Sequence, residues 1–268
     1  TSKKRFLSHS LKAVNGMNLA EPTSPNTSGE VSSTSIQSQE PLTILPTIEQ
    51  TYLSDLQEEE DECQKQWDSL ARFLQKQKLS SIDPTKFPKT IDLTLNAIKI
   101  PIFEDSDVLK EIIIEKRFAS RKKPHLLTLV NSANEKIQYI YKENDDISMD
   151  VAVMELLVLA NEVWKARKCP AAIRTYNVVS TVNNSGFCEC VPGETMLVTS
   201  NSNILEQLGR DPKQWEVFYY SIVGVMVATA AFNITDRHDN NALFTPDGDI
   251  TLIDLSASMG KKSSHGSC

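Results

Sequence analysis

Apolar residues recur every three or four positions from Ile48 to Lys78, at Tyr52, Leu56, Cys63, Trp67, Leu70 and Leu74, around an acidic run from Glu58 to Glu62. That spacing puts them on one helix face, and no Gly or Pro interrupts it, so a long amphipathic helix is expected, with the acidic run as its solvated side. Asp83-Pro84 and Phe87-Pro88 then read as a linker. From about Thr90 the period changes. Residues 90–100 (TIDLTLNAIKI) alternate, 107–118 (DVLKEIIIEKRF) hold a β-branched run, and 125–131 and 136–142 are short apolar runs between turn residues, all features of strands. Two helices are expected among the strands. Residues 150–166 are apolar on most sides and end in basic residues, and residues 214–232 are more hydrophobic still, so the latter is expected to be a buried core helix. Between the helices, residues 173–191 predict two strands joined by an Asn-Asn-Ser-Gly turn, and residues 242–256 predict a hairpin turning at Pro246-Asp247-Gly248-Asp249.

The amino-terminal part has a different texture. Residues 21–41 hold nine Ser/Thr and three Pro, too little apolar surface to offset the entropy of ordering, and disorder is expected. The basic, weakly amphipathic residues 3–14 before them allow either a short docking helix or a frayed end. The chain has 268 residues, with 28 Lys+Arg against 35 Asp+Glu for a net charge of −7. That acidic excess argues against a dedicated nucleic-acid binder. Five cysteines, at 63, 169, 188, 190 and 268, make no disulfide framework, and with the four scattered histidines they lack zinc-site spacing. Cys188 and Cys190 are read as core packing. The longest apolar stretch, Val217 to Phe232, has sixteen residues, short of the ~20 that span a bilayer, so no transmembrane segment is expected. No signal-peptide pattern follows Thr1, and a soluble, cytoplasmic protein is expected.

The chemistry concentrates in Thr235-Asp236-Arg237-His238-Asp239-Asn240-Asn241, followed thirteen residues later by Asp254. A short loop feeding a tight hairpin should bring Asn241 and Asp254 together. Two oxygen ligands there suit Mg²⁺, which takes one or two carboxylates and completes its shell with phosphates. Asp236 and His238 are then free to orient and deprotonate an attacking hydroxyl. A helix cap with a buried ion pair would explain any one of these residues, but not the ordered set.

These residues resemble the catalytic domain of the phosphatidylinositol 3- and 4-kinases and their protein-kinase relatives. The family's catalytic loop D-R-H-x-x-N is similar to Asp236-Arg237-His238 with Asn241, and its D-F-G motif to Asp254-Leu255-Ser256. Upstream, its phosphate loop S-x-K-x-P resembles Ser120-Arg121-Lys122-Lys123-Pro124. Its strand lysine followed by G-D-D-L-R-Q-D resembles Lys142 through Asp150. Its tyrosine strand and hinge resemble Tyr176 and Gly186 through Val191. The resemblance covers roughly residues 90–260. It implies ATP and Mg²⁺ as cofactors, with Lys142, Lys122 and Ser120 on the phosphates and Asp150 as a candidate partner orienting Lys142. Tyr176, Glu189 and Val191 would line the nucleotide site, the last two through the hinge backbone. It further implies Asp236, His238 and Arg237 in the catalytic loop, and Asn241 and Asp254 on the metal. An inward-pointing Lys142 in mid-strand would otherwise be costly, and the basic residues Lys116, Arg117, Arg121, Lys122 and Lys123 would otherwise be an ordinary solvated face.

Three departures accompany the resemblance. The glycine of D-F-G is Ser256, the second block loses its Gly, Arg and Gln, and fourteen residues follow Asp254. The expected architecture is an α/β (α+β) two-lobed kinase-like fold with a mostly antiparallel N-lobe sheet and an incomplete helical C-lobe. Its expected parts are a disordered segment 1–46, a helix and linker 47–89, an N-lobe and hinge 90–191, and a partial C-lobe 192–268. Lys261-Lys262 resemble the start of a basic activation loop, but in a Ser/Gly-rich tail the favoured expectation is a disordered terminus. The implied function is transfer of the ATP γ-phosphoryl to the inositol ring of a phosphoinositide at a membrane surface, with a regulatory subunit as a further partner. A 4-kinase, a related protein Ser/Thr kinase, and a non-catalytic interaction module are the alternatives.

Overall fold

The computed structural model describes residues 47–93, 97–103 and 107–260, with side chains from residue 57 onward. Packing divides the chain into two compact units, residues 8–62 and a larger unit that contains residues 63–268. The expectations for residues 1–46 and for Lys261-Lys262 lie outside the described residues.

Helix α1 runs Thr47–Lys76. Of the acidic run, Glu58, Glu59, Asp61 and Glu62 are exposed, as their helical face requires. The larger unit begins at Cys63, and its sheet holds six antiparallel strands: β1 (Lys89–Asp92), β2 (Leu109–Arg117), β3 (His125–Asn131), β4 (Lys136–Lys142), β5 (Val178–Thr181) and β6 (Ser185–Glu189), in the order β1-β2-β3-β4-β6-β5. Helix α2 (Ser148–Ala166) leaves β4 through a short turn, where the Asp146 carboxylate accepts from the Ser148 backbone N–H at 3.0 Å. Helices α3 (Asn201–Arg210) and α4 (Pro212–Ala231) follow, and β7 (Glu194–Thr195), β8 (Ala242–Phe244) and β9 (Ile250–Leu252) form a second, three-stranded sheet. The fold is α+β, a mostly antiparallel sheet with helices packed on it.

Strand alternation sorts the sheet's side chains into two cores. Ile112, Ile114, Leu127, Leu129, Tyr139, Tyr141, Val179 and Phe187 meet Trp67, Leu70, Ala71, Leu74 and Leu79. Trp67 is the centre of this core, with ring centroids 5.2 Å from Tyr139 and 5.0 Å from Phe187. On the other side, Val178 and Cys188 join Val153, Met154 and Leu157 of α2, together with Ala228, Leu252 and Leu255. Residues 63–79 therefore belong to the core of the sheet. The change of unit along the helix falls at Glu62/Cys63. Polar contacts reinforce that core: Gln64 donates to the Ser180 carbonyl at 2.9 Å, and Asp68 accepts from the Val182 backbone N–H at 3.1 Å.

The β5–β6 turn forms as its asparagines predict, with positive φ at Asn183 (61°) and Asn184 (50°), a region Asn tolerates. The β8–β9 hairpin also forms, closed by Thr245 N–H to the Asp249 carbonyl at 3.0 Å, with Gly248 at φ 89°. Three expectations need correction. Among the described residues of 90–100, strand runs only through Asp92, and 97–100 are irregular. Helix α3 carries no long apolar run and was not foreseen; Ile204 and Leu208 hold it against Phe244 and Phe218. Helix α4 is not a buried core helix: its buried residues are Ser221, Gly224 and Ala228, while Tyr219 and Met226 are 62% and 66% exposed. It packs through a strip of small residues, and a side chain at Gly224 would meet the Ala172 carbonyl at 2.3 Å. An apolar pattern on all sides does not say which side packs.

Candidate active site

The strand that carries Lys142 sets its direction. Tyr139 and Tyr141 enter the α1-side core, so Ile140 and Lys142 face α2, where the pairing β6 residues Cys188 and Gly186 lie. Lys142 Nζ comes within 3.9 Å of Asp254 Oδ1, and its side chain is 16% exposed. Burial opposes the ammonium, but negative charge at Cys188, Asp150, Asp254 and Asp145 outweighs it, and the pKa is raised. The Cys188 thiol is itself pushed up to about 12 by burial, so at neutral pH the carboxylates supply the compensating charge.

Asp150, in the first turn of α2, is 2% exposed. Its Oδ1 accepts from the Leu255 backbone N–H at 3.0 Å, and its Oδ2 is buried without a hydrogen bond. Burial raises its pKa, opposed by the charge of Lys142 and the Leu255 amide. The structure thus brings Asp150 to the segment that carries Asp254, and Lys142, 3.9 Å from Asp254, also feels the charge of Asp150.

After α4 the chain turns through Asp236, at φ 60°, and a 3-10 turn at Asp239–Asn241 into β8. The backbone carbonyl of Asn241 accepts from Ile253 N–H at 3.1 Å, which sets Asn241 beside the start of the Asp254 segment, as the short hairpin predicted. The Asn241 side-chain amide donates to the Asp236 carbonyl at 2.9 Å. Arg237 is engaged with the backbone: its guanidinium donates to the carbonyls of Thr235 (3.0 Å), Asn241 (3.3 Å), Ile253 (3.1 Å) and Asp254 (2.6 Å). These bonds make Arg237 a staple of the loop. His238 Nε2 lies 3.8 Å from Asp236 Oδ1, with its side chain 54% exposed. Asp254 has φ 54°, and Ser256 Oγ donates to its Oδ1 at 3.3 Å.

On the opposite rim, residues 118–124 form the β2–β3 turn, closed by Phe118 N–H to the Pro124 carbonyl (2.9 Å) and Lys123 N–H to the Ser120 carbonyl (3.0 Å). Lys122 Nζ reaches across to Asp145 at 3.3 Å and to the Asn144 carbonyl at 3.2 Å. Tyr176 is buried in the α2-side core, where burial raises its phenol pKa well above the ordinary value. Asn177 and Glu189 are joined by backbone and side chain, Glu189 N–H to the Asn177 carbonyl (2.7 Å) and Asn177 N–H to Glu189 Oε2 (3.0 Å). Val191 packs against the α2-side core just past β6. Cys188 is buried and free in that core.

Two features were missed in the sequence. Asp145, inside the quoted block, is the ion-pair partner of Lys122. Arg174, ahead of β5, forks onto Asp249 with Nε to Oδ2 at 2.6 Å and Nη2 to Oδ1 at 2.8 Å, and also reaches Asp247 at 2.6 Å. It ties the hairpin that delivers Asp254 to the six-stranded sheet, and a lone Arg in a polar stretch gives no local signal of that. Among the described residues no cluster of three or more His, Cys, Asp and Glu forms a metal-sized site, and no helix is long and apolar enough to cross a membrane.

No family model matches the chain. Curated relatives do. The chain is 25% identical over 169 residues to the phosphatidylinositol 3-kinase C2 domain-containing subunit gamma of Mus musculus, covering 56% of this chain and 11% of that protein. It is 26% identical over 204 residues to phosphatidylinositol 3-kinase 1 of Dictyostelium discoideum, covering 68% and 13%. It is also 26% identical over 159 residues to the phosphatidylinositol 3-kinase VPS34 of Saccharomyces cerevisiae, covering 54% and 18%. The chain therefore contains a phosphatidylinositol 3-/4-kinase-like domain, and it spans less than a fifth of the length of each of these relatives.

Proposed function

We propose that this chain is the nucleotide-binding part of a lipid kinase, a two-lobed kinase-like fold that transfers the ATP γ-phosphoryl to an inositol-ring hydroxyl of a phosphoinositide. The observation that carries this reading is the convergence of Lys142 and Asp254, distant in sequence, to 3.9 Å. The residues fit the implied groups. Asn241 and Asp254 offer the oxygen donors that a hard divalent cation selects, and two lysines on facing elements can take phosphate charge. Bound Mg²⁺ supplies neutralisation of the polyphosphate charge.

Each protein group then has a task. Lys142 and Lys122 give up carboxylate partners, Asp254 and Asp145, in exchange for phosphate oxygens, with Ser120 on the same turn. Tyr176 and the Glu189–Val191 hinge line the base side. The inositol hydroxyl oxygen attacks the γ-phosphorus, the β–γ bridging oxygen leaves with ADP, and the hydroxyl proton passes to Asp236 or His238. Arg237 keeps the loop in place. Transfer of this kind draws on positioning and charge, which these residues supply. The protein would work in the cytoplasm, recruited to a membrane surface that presents the lipid, with a regulatory subunit as partner.

A non-catalytic interaction module is the second reading, favoured by Ser256 where the family has glycine. Two experiments decide. The protein is assayed on phosphoinositide vesicles and on peptides: labelled lipid is expected, labelled peptide alone overturns the lipid substrate, and the position of the label separates a 3-kinase from a 4-kinase. Asp254→Ala is expected to abolish Mg²⁺-dependent turnover, and full activity in that variant overturns the catalytic reading.

A further inference from the structure

Ser120 lies in the exposed part of the β2–β3 turn, in the run Lys116-Arg117-Phe118-Ala119-Ser120-Arg121-Lys122-Lys123. Five cations fall within four residues of its hydroxyl, and no acidic residue lies among them. Residues 119–123 are exposed, and the turn is closed by the two backbone hydrogen bonds at 2.9 and 3.0 Å, so it can open locally without disturbing the cores on either face of the sheet.

Of the arginines in the chain, only Arg5 and Arg117 have a Ser or Thr three residues on, at Ser8 and Ser120, each with a lysine just ahead of the arginine. A guanidinium at that distance from an accessible hydroxyl, joined by further cations, fits protein kinases that select basic substrates with carboxylates of their own, where charge pattern decides which hydroxyl is accepted. Arg117 is partly buried and donates to the Ser80 carbonyl at 2.9 Å, so one surface hydrogen bond is released when the opened turn is read.

A phosphoryl group on Ser120 would invert the local charge. It brings about −1.5 to −2 at neutral pH and three acceptor oxygens, beside Arg121, Lys122 and Lys123. Lys122, whose side chain is 45% exposed and 3.3 Å from Asp145, can exchange that carboxylate for phosphoryl oxygens on its own turn. In the nucleotide-binding reading above, Lys122 and Ser120 serve the ATP phosphates. A covalent phosphoryl group there takes up that lysine and repels the polyphosphate.

We propose that Ser120 is a phosphorylation site for an arginine-directed Ser/Thr protein kinase, and that its phosphoryl group closes the nucleotide site. The closure rests on the nucleotide-binding reading; the modification does not. In the modifying step Ser120 Oγ attacks the γ-phosphorus of the ATP held by that second kinase. An O–P bond forms as the bond from the γ-phosphorus to the β–γ bridging oxygen breaks, ADP leaves, and the hydroxyl proton passes to that kinase's base.

The test uses the full chain carrying Ser8→Ala, which leaves Ser120 the single Ser or Thr at this spacing. It is incubated with MgATP and the catalytic domain of a protein kinase that selects Arg three residues ahead of its acceptor. The product is freed of nucleotide, mapped by mass spectrometry and titrated with a fluorescent, non-hydrolysable ATP analogue. Phosphate on Ser120 is expected, with an initial rate at least about tenfold lower in Arg117→Lys, which keeps the charge and loses the guanidinium fork. Affinity for the analogue should fall at least about tenfold on phosphorylation and return to within about threefold of its starting value after phosphatase treatment. No phosphate on Ser120, or an equal rate in Arg117→Lys, overturns the modification site. Phosphate on Ser120 with unchanged affinity overturns the closure. An unmodified chain that does not bind the analogue overturns the nucleotide-site reading and the closure with it, a result separate from the mass-spectrometric one.

Discussion

Replacing Arg174 with alanine removes the fork that joins the β8–β9 hairpin to the chain entering β5. Asp249 is 6% exposed and receives two guanidinium hydrogen bonds, at 2.6 and 2.8 Å, plus one from the Thr245 hydroxyl. Breaking a buried pair by deleting one partner costs about 3–5 kcal/mol. The Arg174 side chain is 28% exposed, so water partly resolvates the carboxylate left behind, and about 2–3 kcal/mol is the expected loss. The contact to Asp247, whose side chain is 70% exposed, adds little. The sign with pH follows from Asp249. Burial works against its charge, but the Arg174 and Thr245 hydrogen bonds and the guanidinium charge win, holding its pKa below the ordinary value. A depressed folded pKa contributes stability that is fully present above the unfolded value of about 4 and lost as pH falls through the lower folded value. Urea denaturation of wild type and Arg174→Ala should therefore show the full gap at pH 7, narrowing only below about pH 4. A gap under about 0.5 kcal/mol at pH 7, or one that is unchanged well below pH 4, would refute the reasoning.

Three further outcomes follow from packing and charge. Trp67→Ala should lower stability by about 3–5 kcal/mol, read as a lower denaturant midpoint, because the indole is 1% exposed between Tyr139 and Phe187. Gly186→Ala should cost about 1–3 kcal/mol in the same assay, since a Cβ there would lie 2.5 Å from the Val179 carbonyl oxygen, which cannot move without breaking the β5–β6 pairing. Lys142→Met should weaken binding of the ATP analogue at least about tenfold with the circular-dichroism spectrum preserved; unchanged affinity would remove Lys142 from the site.

Much of this was legible in the chain. Strands β2, β3 and β4 and the two hairpins announced themselves through β-branched runs and Asn, Pro, Asp and Gly at the turns, because those signals are local. The direction of Lys142 stayed open between an inward and a solvated outward lysine, since alternation sets its face but not what covers that face. Packing partners were not legible. Nothing near Trp67 says that it fills the space between Tyr139 and Phe187, and nothing in α4 says that Gly224, rather than Tyr219 or Met226, meets the neighbouring chain. Around the site, proximity of Asn241 to the Asp254 segment could be read from the short hairpin. The grip of Asp150 on Leu255 and of Arg174 on Asp249 joins residues far apart in sequence, and only the folded chain displays it.

The four carbonyls held by Arg237 have a consequence for how this loop can change over time. Its path is specified by a guanidinium, by the Asn241 side-chain amide and by main-chain groups, while the His238 side chain is 54% exposed. In the proposed reaction, architecture and reactivity are thus assigned to different atoms. If the proposed roles hold, substitution at His238 should silence the chemistry and leave the scaffold standing, which makes such a variant a folded control in the laboratory. In a lineage, the same division would let this loop outlive its reaction.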